Sequence, residues 1–200
     1  MKTYSIRRVD GKPDWSMIPV LAIDEAVIKF APDVHAFGQL AYDESALHVH
    51  LWAEEPHIRA EVTSPYEEPC QDSCLEFFFC PEEGNLAYFN IEFNPNGVMY
   101  LGIGTGLHDL LRLVPDYTDR LFSPSITRTQ TGWDLEYEIP YAFIRRFFPA
   151  FAAESGKTIR ANCYKCGNKT VQPHYLEWNP MPHRPLTFHW PEEFGLMRFE

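Results

Sequence analysis

Two runs in the segment DSCLEFFFCPEEGNLAYFNIEFNPNG, residues 72–97, place apolar and polar residues alternately, and that period of two decides what the chain can fold into. Successive side chains of a strand point to opposite faces, so Leu75, Phe77 and Phe79 share one face while Cys74, Glu76 and Phe78 share the other. The second run repeats the pattern: Phe89, Ile91 and Phe93 form an apolar face, and Tyr88, Asn90, Glu92 and Asn94 form a polar face with an aromatic edge. A helix would scatter these rings around its axis, whereas a strand gathers them. One face is core, and the other is built to meet something polar.

The same period recurs along the chain. SALHVHLWAE sets Leu47, Val49 and Leu51 against His48, His50 and Trp52, and GWDLEYEIP sets Trp133, Leu135, Tyr137 and Ile139 against Asp134, Glu136 and Glu138. Both read as half-buried strands of an antiparallel sheet. KTYSIRRV, VMYLGIG after the turn NPNG, TIRANCYKCG and GLMRFE add further candidates. The clearest helical stretch is PYAFIRRFFPAF, where Pro140 suits a first turn, Phe143, Phe147 and Phe151 recur every fourth residue, and Pro149 sets a limit. Proline and glycine are spread through the connections, with no linker and no repeat. The expectation is one domain over residues 1–200: an all-β antiparallel sandwich, Greek-key or jelly-roll-like, with one short helix.

Seventeen Lys and Arg against 28 Asp and Glu give a net charge of -11, which opposes nonspecific attraction to nucleic acid or to anionic lipid. No apolar run is long enough to span a bilayer, and none follows the early charges of MKTYSIRRVDGKPDW as a signal peptide would require. The chain therefore reads as cytoplasmic, or as secreted with its leader removed. Five cysteines, Cys70, Cys74, Cys80, Cys163 and Cys166, are an odd number in a chain too long to need staples, so reduced thiols are expected. The CxxC of Cys163 and Cys166 and the CxxxC of Cys70 and Cys74 offer four sulfurs for zinc, yet in an extended strand Cys163 and Cys166 point to opposite faces. No metal and no cofactor is assigned.

Three chemistries compete for the polar residues. His48 and His50 on one strand face, joined by Met99, are the donors a haem iron would take; the plainer reading leaves the two histidines in solvent beside Trp52. Glu76 and Glu92 on neighbouring strands would stand roughly 5 Å apart, the spacing of a retaining glycosidase pair, but they are expected on a face open to water with nothing to raise either pKa. The third is recognition of a sugar, whose hydroxyls and apolar ring faces call for carboxylates, amides and flat aromatic rings together. Glu76, Asn90 and Glu92 supply the polar part.

DSCLEFFFCPEEGNLAYFNIEFNPNG, then GWDLEYEIPYAFI, then IRANCYKCG, then LEWNPMPHRPLTFHWPEEFGLMRFE together resemble carbohydrate-binding module family 9, in the same order and over nearly the whole chain. The resemblance implies a β-sandwich that binds the ends of glucan or xylan chains without catalysing anything, in a family that usually accompanies glycoside hydrolases in polysaccharide catabolism. It implies two rings sandwiching a sugar. Carried over by position, Glu76 matches the family's acidic ligand contact, while Asn90 and Glu92 fall where related modules have an Arg and an Asn. Tyr66 is nearest to the first platform position, and Trp178, Phe188 and Trp190 compete for the second. The family also holds structural calcium, for which this sequence shows no acidic loop pattern.

Overall fold

The alternating runs are strands, and their apolar faces meet. A computed structural model describes residues 1–28, 31–115, 121–182 and 187–200. Its strands, in chain order, are β1 (Thr3–Arg8), β2 (Leu21–Ile23), β3 (Glu25–Ile28), β4 (His35–Tyr42), β5 (Ala46–Glu54), β6 (Cys74–Cys80), β7 (Tyr88–Phe93), β8 (Met99–Gly104), β9 (Leu111–Leu113), β10 (Ser125–Arg128), β11 (Gly132–Pro140), β12 (Thr158–Gly167), β13 (His174–Glu177) and β14 (Gly195–Phe199). The helix, α1, spans Tyr141–Phe147. No helix among the described residues is long and apolar enough to cross a membrane.

The ten-residue β12 organises the first sheet. One edge pairs with β6, which continues through β7 and β8 to β9. The other edge pairs with β14 over residues 158–161 and with β13 over residues 164–167, and β13 carries β3. The second sheet runs β10, β11, β5, β4, with β2 beside β4. All of these pairings are antiparallel; β1 is the exception. It runs parallel to β14 over residues 3–6 and parallel to β4 over residues 7–8, so one strand stitches the two sheets and makes the whole mixed.

Between the sheets lies a single apolar layer: Leu75, Phe77, Phe79, Phe89, Ile91 and Phe93 from the first, and Leu47, Val49, Leu51, Trp133, Leu135 and Ile139 from the second. These are the faces that the alternation assigned to the core. Strand β4 was invisible to the same reasoning because Gly38 interrupts its pattern, and the interruption is steric: a Cβ there would lie 2.8 Å from Leu51 Cδ2. Helix α1 is shorter than its sequence suggests. Pro140 caps it, and the chain leaves helical geometry at Phe148, so that Phe148 and Phe151 turn into the core, Phe151 against Tyr141 and Phe199.

A buried ion pair closes one end of the sandwich. Glu55, just past β5, receives a hydrogen bond from Trp133 Nε1 of β11 at 2.7 Å and from Ser73 Oγ at 2.9 Å, and its Oε2 lies 3.3 Å from Lys165 Nζ of β12. The ammonium, fully buried, also donates to Cys166 O at 3.0 Å and to His174 Nε2 at 2.8 Å. Removing one member strands the other charge without solvent. We expect Lys165→Met to lower the unfolding free energy by about 3–5 kcal/mol in urea titration, and the double variant with Glu55→Gln to recover part of that loss. A single-variant loss below about 1 kcal/mol would show that the pair does not clamp the sheets.

Candidate functional site

The strand that carries Glu76 is aimed by the two residues before it. Asp72 Oδ2 accepts from the backbone N–H groups of Glu61 and Val62 and from Asn94 Nδ2, all within 2.9 Å, and Oδ1 pairs with Arg59 Nε at 3.2 Å. Ser73 accepts from the Arg59 N–H and donates to Glu55. Asn94, at the end of β7, also donates to Val62 O and accepts from the N–H groups of Asn96 and Val98, closing the NPNG turn. The Asp-Ser pair thus fixes β6 and β7 to the loop before them, and with these strands Glu76 and Glu92, which stand directly opposite each other.

On the outer face of the first sheet the side chains divide into two fields. Phe78, Tyr88 and Tyr164 join Met181 and Phe194 in a second, small core, partly covered by Leu110, Phe188 and Trp190. Phe188 lies flat on Tyr164 with ring centroids 4.1 Å apart. Beside this patch is an open cavity of about 270 Å³. Its most buried lining residues, Glu76, Glu92 and Cys166, form the floor, and Phe188, His189, Tyr175, Asn168, Cys70 and the exposed Leu107 surround them. Tyr88 OH and His189 Nδ1 are 2.6 Å apart. Burial pushes the phenol up and holds His189 down at about 4, so near neutral pH the pair is an uncharged phenol bonded to an uncharged imidazole.

The floor is an electrostatic anomaly. Glu76 and Glu92 are 2% and 7% exposed, and among the described residues neither has an ion-pair partner. Burial pushes the Glu76 carboxyl up to about 7, against a hydrogen bond from Cys166 Sγ at 2.8 Å and the charge of Lys165 behind the sheet. Glu92 is raised well above the carboxylate range by burial and then by Glu76. Its Oε2 makes no hydrogen bond, and the adjacent Asn90 amide makes none of normal geometry either. Cys74 and Cys166 are held as thiols, again by burial.

This differs from the water-open face that the sequence suggested, and the reason is tertiary: loops after β12, before β6 and near the C-terminus fold over a sheet face whose alternation looked merely polar. Glu76, Glu92 and Phe188 come together at the cavity. Asn90, fully buried, does not line it. Tyr66 is 70% exposed and does not line the cavity; its strip is held by Arg112, which donates to Pro65 O, Tyr66 O and Glu67 O. Trp178 is placed elsewhere, in the main core, edge-on to Tyr4 and against Gly195, where no ring face is free for a ligand. Trp190 covers the small core, and residues 183–186 of its loop lie outside those described.

The haem set is not assembled. His48 and His50 lie on the outer face of the second sheet, while Met99 packs from the first sheet against the core between them. The histidines are not solvated either: His48 Nε2 is 2.9 Å from Asp43, and His50 bonds Gln39 at 2.9 Å and Asp134 at 2.7 Å between the rings of Trp15 and Trp52. The four-sulfur arrangement fails as the strand period requires, since Cys163 sits in the main core and Cys166 on the opposite face. Sequence reasoning named Cys166 only as one of four sulfurs and missed His189; what brings Cys166 to the site is its register opposite Cys74.

A family model described as carbohydrate-binding family 9 matches residues 12–199. Among solved structures, the chain is similar over its whole length to a candidate carbohydrate-binding protein from Bacteroides uniformis ATCC 8492, with 25% identity, 99% of that chain covered and a TM-score of 0.83. It shares its fold with a family 9 carbohydrate-binding module from Caldicellulosiruptor kristjanssonii in complexes with cellotriose and with glucose. Identities are 12% and 13%, TM-scores 0.72 and 0.71, with all of this chain and 94% and 96% of those chains covered. No curated protein matches.

The raised Glu76 carboxyl has a measurable cost. The folded protein holds that proton up to about pH 7, the unfolded chain only to about 4.5, so in this window the folded state binds more protons and raising the pH removes stability. Glu76→Gln abolishes the term. Measured in chelator, the stability of the variant relative to the parent should rise from about pH 5 to about pH 8 by no more than about 3 kcal/mol. The difference cancels the opposite slope of His174 and His189, both held at about 4. A flat difference across that range would mean the floor is solvated.

Proposed function

The chain belongs to carbohydrate-binding family 9, and on that ground we propose that it binds a carbohydrate without catalysis, one sugar ring entering the cavity over Glu76 and Glu92. Residues 1–200 are read as one such domain. The observation that carries the reading is the joining, in one cavity, of a half-buried flat ring, Phe188, with two buried carboxyls, one of which, Glu92, has an oxygen without a partner. Apolar sugar faces suit the first and hydroxyls the second. At about 270 Å³ the cavity is near the lower end of small-molecule pockets, which suits a chain end better than an enclosed chain. Tyr66, exposed in the loop before β6, is the second ring in this reading, and Asn90 stands beside Glu92 on β7. The neighbours solved with glucose and cellotriose favour a glucose-configured ligand.

Stacking on a ring contributes on the order of 1 kcal/mol and each hydrogen bond to a protonated carboxyl roughly 0.5–1.5 kcal/mol, so affinity should be micromolar at best. Titrating cellobiose, cellotriose and xylobiose by calorimetry should show Phe188→Ala weakening binding roughly fivefold and Glu76→Ala nearly abolishing it, with Trp52→Ala on the second sheet unchanged. The reverse pattern, loss with Trp52→Ala and none with the other two, would move the site to the opposite face. The paired raised carboxyls favour a second reading, glycoside hydrolysis. Reducing sugar released by the parent and lost in both Glu76→Gln and Glu92→Gln would establish it in place of the first.

A further inference from the structure

We propose that the cavity floor is a binding site for one thiophilic divalent cation of the zinc class, ligated by Cys74 Sγ, Cys166 Sγ and a carboxylate oxygen of Glu76. The ligand atoms of these three residues lie within 4.8 Å of one another, and none of the three is more than 2% exposed. Strand geometry brings them together: Cys74 and Glu76 are two apart on β6 and so share a face, and Cys166 on β12 stands directly across from Cys74. Tetrahedral zinc with sulfur at about 2.3 Å and oxygen at about 2.1 Å needs ligand separations of roughly 3.5–3.8 Å. The separations present, from the 2.8 Å contact between Cys166 Sγ and Glu76 Oε1 to at most 4.8 Å, bracket that range.

An independent observation points the same way. Glu92 Oε2 is buried, lines the same cavity and has no hydrogen-bond partner, and no ion pair among the described residues neutralises either carboxyl. A divalent cation supplies the missing positive charge and leaves its fourth position toward Glu92 or a ligand oxygen, the open arrangement of non-structural zinc sites. The donor set selects the ion: two thiolates and one carboxylate suit zinc, cobalt or cadmium, whereas calcium and magnesium require oxygen cages. Binding exchanges protons for metal. Each of the two thiols forms a metal–sulfur bond as its S–H bond breaks, so two protons go to solvent per ion, and a third leaves Glu76 where that group begins protonated.

The test is a cobalt titration of the reduced, metal-free protein in weak buffer and without sugar, so its outcome is separate from that of the carbohydrate reading. The expected result is one equivalent bound with sulfur-to-cobalt charge-transfer absorption, at least two protons released, and two thiols protected from a thiol reagent. Cys166→Ser should remove one thiolate's share of that absorption and weaken binding by more than the roughly tenfold to hundredfold typical of an outer-shell change. Cys163→Ser, on the core side of the same CxxC, should leave site and stoichiometry intact. The spectrum, proton count and thiol protection need no variant, so a misfolded mutant does not decide the matter. No stoichiometric thiolate absorption in the parent would overturn the proposal. So would binding that survives loss of Cys74 and Cys166 together but fails with His50→Ala, because the ion would then sit with His50, Asp134 and Glu136 on the other sheet.

Discussion

The contact between Glu55 and Lys165 governs the rest of the molecule, because it sets which way β12 faces. A lysine in the middle of that strand must either reach water or find a carboxylate between the sheets; it finds Glu55, with Trp133 and Ser73 completing the carboxylate's hydrogen bonds. Burying two charges costs several kcal/mol each, and only a fully bonded arrangement offsets it. The requirement reaches His174. To accept from the ammonium its Nε2 must carry no proton, and burial followed by the lysine charge holds it at about 4 while Nδ1 donates to Gln172 O. Once Lys165 points inward, alternation sends Tyr164 and Cys166 outward, beside Phe78 and Glu76 of β6.

The outward face then cannot be uniform. Toward one end Phe78, Tyr88 and Tyr164 are too large and apolar to leave wet, and the C-terminal strip lies over them, Phe188 on Tyr164 and Phe194 edge-on to Tyr88. At the other end the cysteines and acids repel such a cover, because any apolar residue laid on them would strand carboxyls without partners. The cavity is the boundary between the two fields. Phe188 belongs to both, stacked on Tyr164 over the small core and lining the cavity, which places a ring beside the acids.

How much of this was legible follows from what each signal measures. Periodicity reports which residues share a face, and it assigned the faces of β5, β6, β7 and β11 correctly, including the separation of Cys163 from Cys166. It does not report what covers a face. For that reason the acids read as wet when loops from distant parts of the chain bury them. It also cannot orient a ring-rich loop: Trp178 and Phe188 are equally aromatic, yet Gly195 leaves room beneath Trp178, where a Cβ would sit 2.5 Å from the indole, and so admits that ring to the core. Short strands such as β2 and β9, three residues each, carry too little pattern to register at all.

Two demands on the floor are distinguished by pH. Sugar hydroxyls both donate and accept, so a Glu76 that carries a proton below about pH 7 and loses it above can meet the same ligand in either state, giving to it or taking from it. A thiophilic cation has no such latitude, since it binds only as the thiols release protons that burial makes them retain, and its hold must strengthen as pH rises. On the two proposals, sugar binding would vary little with pH while metal binding would be steep, and both would draw on Glu76, whose Oε1 already meets Cys166 and whose side chain lines the cavity. One buried carboxyl placed between a thiol pair and an open cavity is what would let the same floor meet both demands.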